Sequence, residues 1–500
     1  VIVAGCGYAG AMAAIAAHDS GARVLVLEKA DEAGGISVCS AGGVRVAENA
    51  DQALSYLIAT NGDTTPEPVL RRLAEGMVGL PAVIDRLAEG HSTVVGRRVA
   101  AANYPLPGHR TFGFVYVDDL DGFDALQTFP NVRGSPEGAR LFRLLQLNLE
   151  QRGIQVRCGV AVDRLVLGAR GEVEGVRARR VDGSEQIYLR AEGGVVLACG
   201  GFEGAPDLQK QYWSYQPVLN AAYRQNTGDG IRLAQEAGAG LWHMWHFHGS
   251  YGFKHPDPNY PFGIRTKRVP DWLPGEGPPD DVKVPWILLD RDGQRFMNEY
   301  EPYLQDTGAR PLGRYRPEIQ GFAALPAWLV ADDDGRALYP FGRPTWHEAG
   351  VGYEWSTDNQ AEIELGILRQ AESVEALAKG MNIPVGQLEA SIDRWNASCE
   401  AAGDADFDRP ATSMMPIRRP PFVYGHVWPI VSNTQGGPMH DEEQRVLHSF
   451  GQPIPGLYAA GECGSVFGHL YMSGGNLAEC FVGGGIAGRA AAARAKGIAT

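Results

Sequence analysis

The chain opens on a continuous apolar run at residues 1–4. A Gly-rich turn follows, then an Ala-rich stretch reaching His18, and a second apolar run over residues 23–27. Short apolar runs bounded by turn residues predict buried parallel strands, and the stretch between them predicts a helix. Residues 53–61, 66–89 and 136–152 repeat apolar positions at helical spacing, the last stopped by Gly153. Residues 154–191 alternate apolar and polar side chains with turns at Gly171 and Gly183, which predicts an antiparallel meander. Two more helices are predicted around residues 361–379 and 385–401. An apolar strand at 457–460 and an Ala-rich helix ending near Lys496 close the chain. Strand–helix alternation at both ends predicts an α/β fold built on a Rossmann-like sheet.

The first turn carries chemistry. Gly5-Cys6-Gly7-Tyr8-Ala9-Gly10 lies between a strand and a helix, and the next strand ends at Glu28. Gly5 permits the tight turn, Gly7 lets backbone approach a pyrophosphate, and Gly10 lets helix and strand pack closely. The helix N-terminus offers N–H groups to the phosphates, and Glu28 is placed to accept from ribose hydroxyls. A second GxGxxG, at Gly483–Gly488, follows no strand and reads as a close-packed helix. One dinucleotide is therefore expected.

Composition narrows the picture. The 500 residues carry 65 Gly, in short loops, and a net charge of −14, which argues against nucleic acid and anionic membranes. No apolar run is long enough to span a bilayer. Seven scattered Cys without metal-ligand spacing lead to the expectation of a reducing, cytoplasmic setting and no metal site.

Six ordered segments resemble the flavoprotein family of soluble fumarate reductases, 3-ketosteroid dehydrogenases and urocanate reductases. They are Gly34–Gly43, Val195–Gly201, Asn226–Gly230, Gly293–Glu299 (GQRFMNE), Gly436–Pro438 and Pro455–Glu462. The resemblance implies FAD, and an FAD-binding domain of residues 1–242 and 422–500 with an inserted α+β substrate-capping domain at 243–421. The glycines Gly34, Gly35, Gly42 and Gly43 allow backbone to approach a bulky ring. Glu462 follows a strand and is expected to hold ribityl hydroxyls. The turn Gly474-Gly475-Asn476-Leu477 starts the last helix, whose N–H groups suit negative charge at the flavin edge. The resemblance also implies FAD contacts at Tyr8, Ala9, Lys29, Ser37, Ala41, Val162, Cys199, Gly200, Asn226, Gly228, Asp229, Gly461, Gly475, Asn476 and Leu477. No His lies between Gly34 and Gly43, so the FAD is expected to be non-covalent.

The substrate expectation rests on two positions. Fumarate-reducing relatives carry Arg four residues after the Glu of the N-E pair, and Arg two residues before the Gly-Gly-Asn turn. Here these are Tyr303 and Met472. Loss of both charges predicts an uncharged pocket in which a dicarboxylate would be desolvated and unpaired. Pro302-Tyr303 and Tyr471 followed by Gly475 resemble the ketosteroid dehydrogenases instead. That resemblance implies that Tyr471 and the Gly475 N–H polarise a ketone, that Tyr303 removes an α-proton, and that Ser473 relays a proton. The expected substrate is a small apolar cyclic ketone such as a 3-ketosteroid, desaturated by hydride transfer to flavin N5, with an unidentified electron acceptor. The alternative is the reverse reaction on an enone or a urocanate- or fumarate-like alkene. A third possibility is a flavin-binding partner without catalysis, against which the paired tyrosines argue. Tyr104 and Tyr116 are both candidates to assist the base. The His/aromatic run at residues 242–248 reads as a pocket wall, Phe112, Phe114 and Tyr116 as lining of an apolar cleft, and Asp332-Asp333-Asp334 as a solvated turn.

Overall fold

A computed structural model describes residues 1–130, 132, 135–348 and 350–497. Five parallel strands form its first sheet, in the order Pro453–Ala459, Val195–Leu197, Ile2–Ala4, Leu25–Leu27, Gln155–Arg157, with Arg445–Leu447 antiparallel on one edge. The inner strands Val195–Leu197, Ile2–Ala4 and Leu25–Leu27 are buried on both faces, which is why their sequence runs are continuously apolar rather than alternating, whereas the edge strand Gln155–Arg157 exposes its first and last residues. Val3, Val26 and Val196 face one way, against the helices Tyr8–Asp19 and Gly475–Ala495. Ile2, Ala4, Leu27, Val195 and Leu197 face the other, against an antiparallel sheet of Val160–Leu167, Val173–Arg180 and Gln186–Arg190. The expected meander is thus three strands, while Gln155–Arg157 belongs to the parallel sheet.

The two helices cross at glycines. A Cβ on Gly484 would stand 2.5 Å from the Ala9 carbonyl oxygen, and one on Gly488 2.2 Å from that of Ala13. The second GxGxxG is therefore a helix-packing seam and not a nucleotide turn.

A second sheet is built around the 13-residue strand Phe422–Thr434. Phe247–Lys254 and Ala327–Ala331 flank it antiparallel, and Gly263–Arg265 and Ile287–Leu289 lie outside these. Leu219–Asn220 and Arg369–Ala371 also pair with the long strand. Residues 422–434, placed with the FAD-binding part from sequence, thus hydrogen-bond into the sheet of the intervening segment. Contiguous apolar patterning had hidden this, since a two-faced buried strand looks alike in either sheet. The helix expected over 361–379 is two helices, Gln360–Leu365 and Val374–Met381. Gly366, at φ 85°, ends the first, and Arg369–Ala371 leaves to pair with the long strand. Asp332 is not in a solvated turn. Its buried carboxylate caps the helix Asp333–Leu338 and accepts from the N–H groups of Gly335, Arg418 and Arg419.

A third sheet, Val44–Ala47, Phe112–Leu120 and Thr93–Val99, stands beside the start of the last helix. Among the described residues no helix is long and apolar enough to cross a membrane, and no cluster of His, Cys, Asp and Glu could hold a metal.

Candidate active site

Two connected cavities follow the C-terminal ends of the parallel strands, where α/β sheets take ligands. The first is lined by Gly5, Gly7, Tyr8, Ala9, Glu28, Lys29, Gly34, Gly35, Ser37, Val162, Cys199, Gly200, Asn226, Asp229 and Glu462. The Gly5 turn fits a pyrophosphate cradle: a Cβ on Gly5, at φ 97°, would lie 2.3 Å from the Ala198 carbonyl oxygen. Gly10 has the packing role its spacing implies, with a Cβ only 2.0 Å from the Gly5 oxygen. Glu28 is buried, and its two oxygens accept from the N–H groups of Cys6 and Ala30, both at 2.8 Å. A carboxylate has about four lone-pair sites, so it can still accept from a ribose. Burial raises its proton affinity. Lys29 donates to Thr227 and Asp229, tying the second strand to the Asn226–Gly230 loop. Gly228, at φ 72°, and Gly461, at φ 70°, are left-handed backbone positions, and neither lines the two cavities.

Glu462 is 8% exposed and accepts from Thr434 N–H at 2.7 Å. It lines both cavities, where ribityl hydroxyls would pass. Burial pushes both Glu462 and the adjacent Glu203 up, and the Glu462 charge adds to the rise at Glu203. Asn226 donates to Glu203 at 2.7 Å.

The second cavity, of about 840 Å³, runs from the floor at Ser37, Ala41, Gly42 and Gly43 to a wall made by the second sheet. Tyr303, Tyr471, Ser473, Gly474, Asn476 and Leu477 line it. Residues from four distant segments therefore meet here. The GQRFMNE segment explains how Tyr303 is held. Glu299 is fully buried, salt-bridged to Arg295 at 2.8 Å and to Arg409 at 3.0 Å, and accepts from Leu288 N–H. Burial would raise this carboxyl, but the two guanidiniums hold it below its ordinary value. That ion cluster pins the loop delivering Tyr303, which starts the short helix Leu304–Thr307.

His248 stands beside both tyrosines, its ring 5.9 Å from that of Tyr303 and 4.5 Å from that of Tyr471. Its Nδ1 lies 3.5 Å from Asp306, whose other oxygen accepts from Tyr471 N–H at 3.1 Å. Burial alone would raise Asp306. Hydrogen bonding to His246 and His248 and the Arg310 charge instead hold it well below the usual carboxylate range. His248 itself is pushed down by burial, against the pull of Asp306. The His/aromatic run thus divides its labour. His243 binds the Ser465 carbonyl and Thr65, His246 the Phe467 carbonyl, and only His248 reaches the cavity.

Two expectations meet a different geometry. The Gly475 N–H is already donated to the Met472 carbonyl at 2.7 Å, closing the turn into the last helix. The Tyr471 hydroxyl accepts from Gly474 N–H at 3.1 Å. The cavity is also not uncharged. Arg45, Arg265, Arg268 and Arg343 all line it. They come from the third sheet, from the strand Gly263–Arg265 and its following loop, and from the segment before Thr345–Glu348. None lies in a motif, so only the fold brings them together. Arg45 is buried, stacked 3.9 Å over Phe114, with Nε donating to the Ser473 carbonyl. Burial pulls it down to about 10, opposed by the nearby phenols of Tyr303, Tyr56 and Tyr471. Tyr116 lines the cavity, whereas Tyr104 packs towards Thr307.

The FAD binding domain family matches residues 1–477, and the chain belongs to that family. It is 26% identical to a 3-oxosteroid 1-dehydrogenase of Mycobacterium tuberculosis, over 94% of both chains. It is also 26% identical to a fumarate reductase (cytochrome) of Shewanella frigidimarina, over 99% of this chain and 77% of that protein. The solved 3-ketosteroid Δ1-dehydrogenase of Sterolibacterium denitrificans superposes with a TM-score of 0.79 at 23% identity, over 98% of this chain and 99% of that one. The protein is an FAD-dependent oxidoreductase acting on CH–CH bonds, of the group containing ketosteroid dehydrogenases and fumarate reductases.

Proposed function

We propose that the protein desaturates a cyclic ketone at the α,β carbons, and that a 3-ketosteroid is the best present description of its substrate class. The observation that carries the reading is the pair Tyr303 and Tyr471, set around His248 in one cavity whose floor is the glycine run Gly42-Gly43. The M. tuberculosis and S. denitrificans proteins, named for 3-oxosteroids, support it.

Bound FAD supplies the acceptor for the hydride that leaves the β-carbon. Tyr471 donates its hydroxyl hydrogen to the ketone oxygen and stabilises the charge that develops there. With Gly475 N–H engaged by Met472, the second donor must come from elsewhere or from opening that turn. Tyr303 takes the α-proton. Burial pushes its phenol well above 10, which makes it a weak base at rest. The Arg45 charge opposes that rise, and neutral His248 is placed to take the proton onward. Ser473 lies in the same wall, suited to relay a proton for Tyr471.

The test is anaerobic mixing of the FAD-loaded enzyme with a cyclic 3-ketone. Flavin bleaching at a rate saturable in ketone is expected, and no bleaching by any 3-ketosteroid would refute the reading. Fumarate reduction should be far slower than turnover of any active ketone. The charges at the reacting carbons are missing at Tyr303 and at Met472, which is 1% exposed. Efficient fumarate turnover would overturn the ketone assignment.

A further inference from the structure

The cavity wall opposite the glycine floor carries a feature that an apolar ketone does not explain. Arg265 and Arg343 are directly opposed across a short antiparallel pairing. The bridge joins Thr266 to Gly342, and the Arg343 N–H donates to the Arg265 carbonyl at 3.0 Å. Cross-strand neighbours of this kind hold their Cβ atoms about 4.5–5.5 Å apart, and like charges so placed repel. No carboxylate lies within ion-pair distance of either guanidinium among the described residues. Arg265 donates to the Ala221 carbonyl at 2.8 Å, but its Nε is buried without a partner. Arg343 has no side-chain partner among the described residues. Two acids of the surrounding segments are engaged elsewhere: Asp271 with Arg268 at 3.6 Å, and Glu348 with Arg224.

A third group completes the cluster. His347 lines the same wall, and its Nδ1 is buried and unpartnered. Burial and the two arginines push this imidazole well below its ordinary value, so it is neutral and able to donate one hydrogen bond. Burial lowers both guanidiniums, aided at Arg265 by the Arg268 charge, which together bring it to about 10, and at Arg343 by the charges of Arg265 and Arg268. Two juxtaposed, partly desolvated cations without a counter-ion are costly to the fold unless an anion joins them. A carboxylate meets the need: it is planar, accepts bidentately from guanidinium, and has lone pairs left for His347.

We propose that Arg265, Arg343 and His347 form a carboxylate subsite, so that the substrate is a cyclic ketone bearing a carboxylate away from its reacting carbons. The inference rests on the ketone-desaturation reading of the same cavity. The subsite neighbours the reaction centre, since Arg265, Arg343 and His347 line the same cavity as His248, Tyr303 and Tyr471. It uses residues other than the two positions where fumarate-type arginines are absent.

The test uses FAD-loaded enzyme and two matched pairs of probes: 4-oxocyclohexanecarboxylate with its methyl ester, and 3-oxo-5β-cholan-24-oate with its methyl ester. Anaerobic calorimetry gives affinities and stopped-flow absorbance gives bleaching rates. In at least one pair the acid should bind about tenfold or more tightly than the ester, the scale of one charge-assisted contact. Arg343→Gln and Arg265→Gln should cut that preference to within about threefold, and leave ester affinity and FAD content unchanged. Arg343→Lys, which keeps the charge, should retain most of the preference and guards against a variant that fails to fold. Esters binding as tightly as acids in both pairs would overturn the subsite. So would Gln variants that lose FAD while keeping the acid preference, because the arginines would then serve the cofactor. Arginine-dependent acid binding without bleaching would sink the desaturation reading and leave the subsite standing. Equal binding and bleaching by acid and ester would do the reverse.

Discussion

At the residue scale, the two tyrosines and Arg45 make separable predictions. Tyr303→Phe and Tyr471→Phe each remove one hydroxyl and little volume, so folding and FAD loading should survive. Loss of a positioned acid–base group costs about 10²–10⁴ in rate, and loss of an oxyanion donor about 10²–10³. The double mutant should be much less than multiplicatively worse if both act on one enolate. Stopped-flow flavin reduction measures all four enzymes, and a single mutant within threefold of wild type marks its tyrosine as packing. Arg45 is a positioning residue whose effect shows in a pH profile. Its charge favours tyrosinate at Tyr303, against the upward push of burial. Removing it in Arg45→Gln should therefore move the limb of kcat/KM that rises with pH to higher pH, and Arg45→Lys should move it back. An unshifted limb with an unchanged rate would leave Arg45 only the carbonyls of Ser473 and Ala100 to hold.

At the scale of elements, legibility divides by how local the determinant is. The Gly5–Gly10 turn, the Glu28 strand end and the buried parallel strands were readable, because periodicity and steric demands at glycine are local properties. The seam at Gly483–Gly488 was readable as packing because no strand precedes it. The arginine wall was not. Arg45, Arg265 and Arg343 sit in ordinary surroundings 220 and 78 residues apart in sequence, and only the closure of three sheets brings them to one cavity. The engagement of the Gly475 N–H by Met472 was hidden for a related reason: a motif gives the residue, but not what its N–H already binds. The helix seam yields its own prediction. In Gly488→Val the new Cβ would stand 2.2 Å from the Ala13 backbone oxygen, and backbone cannot rotate away. Overpacking of this kind costs about 1–3 kcal/mol or more. Because the helix Tyr8–Asp19 that would be displaced also carries the dinucleotide turn, the melting temperature and FAD content should fall together. A mutant that loses stability but keeps full FAD occupancy would uncouple the seam from the cofactor site.

At the scale of the whole molecule, the proposed cofactor path runs along parts that come from distant stretches of the chain. The glycine floor, the Asn226–Gly230 loop, the Glu462 strand end and the start of the last helix all line the two connected cavities. A ligand that binds only the folded state stabilises it by about 2.7 kcal/mol at one hundred times its Kd. The melting temperature should therefore rise with added FAD and fall on its removal. Glu28 offers the sharpest probe, being remote from the tyrosines and already satisfied by two backbone N–H groups. Glu28→Gln keeps size but sets an amide NH2 against one of the two backbone N–H donors, so a stability loss of about 1–3 kcal/mol is expected together with a weaker ribose contact. We expect weaker FAD binding and a smaller FAD-dependent rise in melting temperature, with turnover per bound FAD unchanged. The same linkage requires the cofactor to be exchangeable. No His lies in the 34–43 loop, and acid precipitation should release all the yellow colour to the supernatant. Colour retained in the pellet would mean a covalent link. FAD added back to such a preparation would then leave the melting temperature where it was, whatever residue stood at position 28.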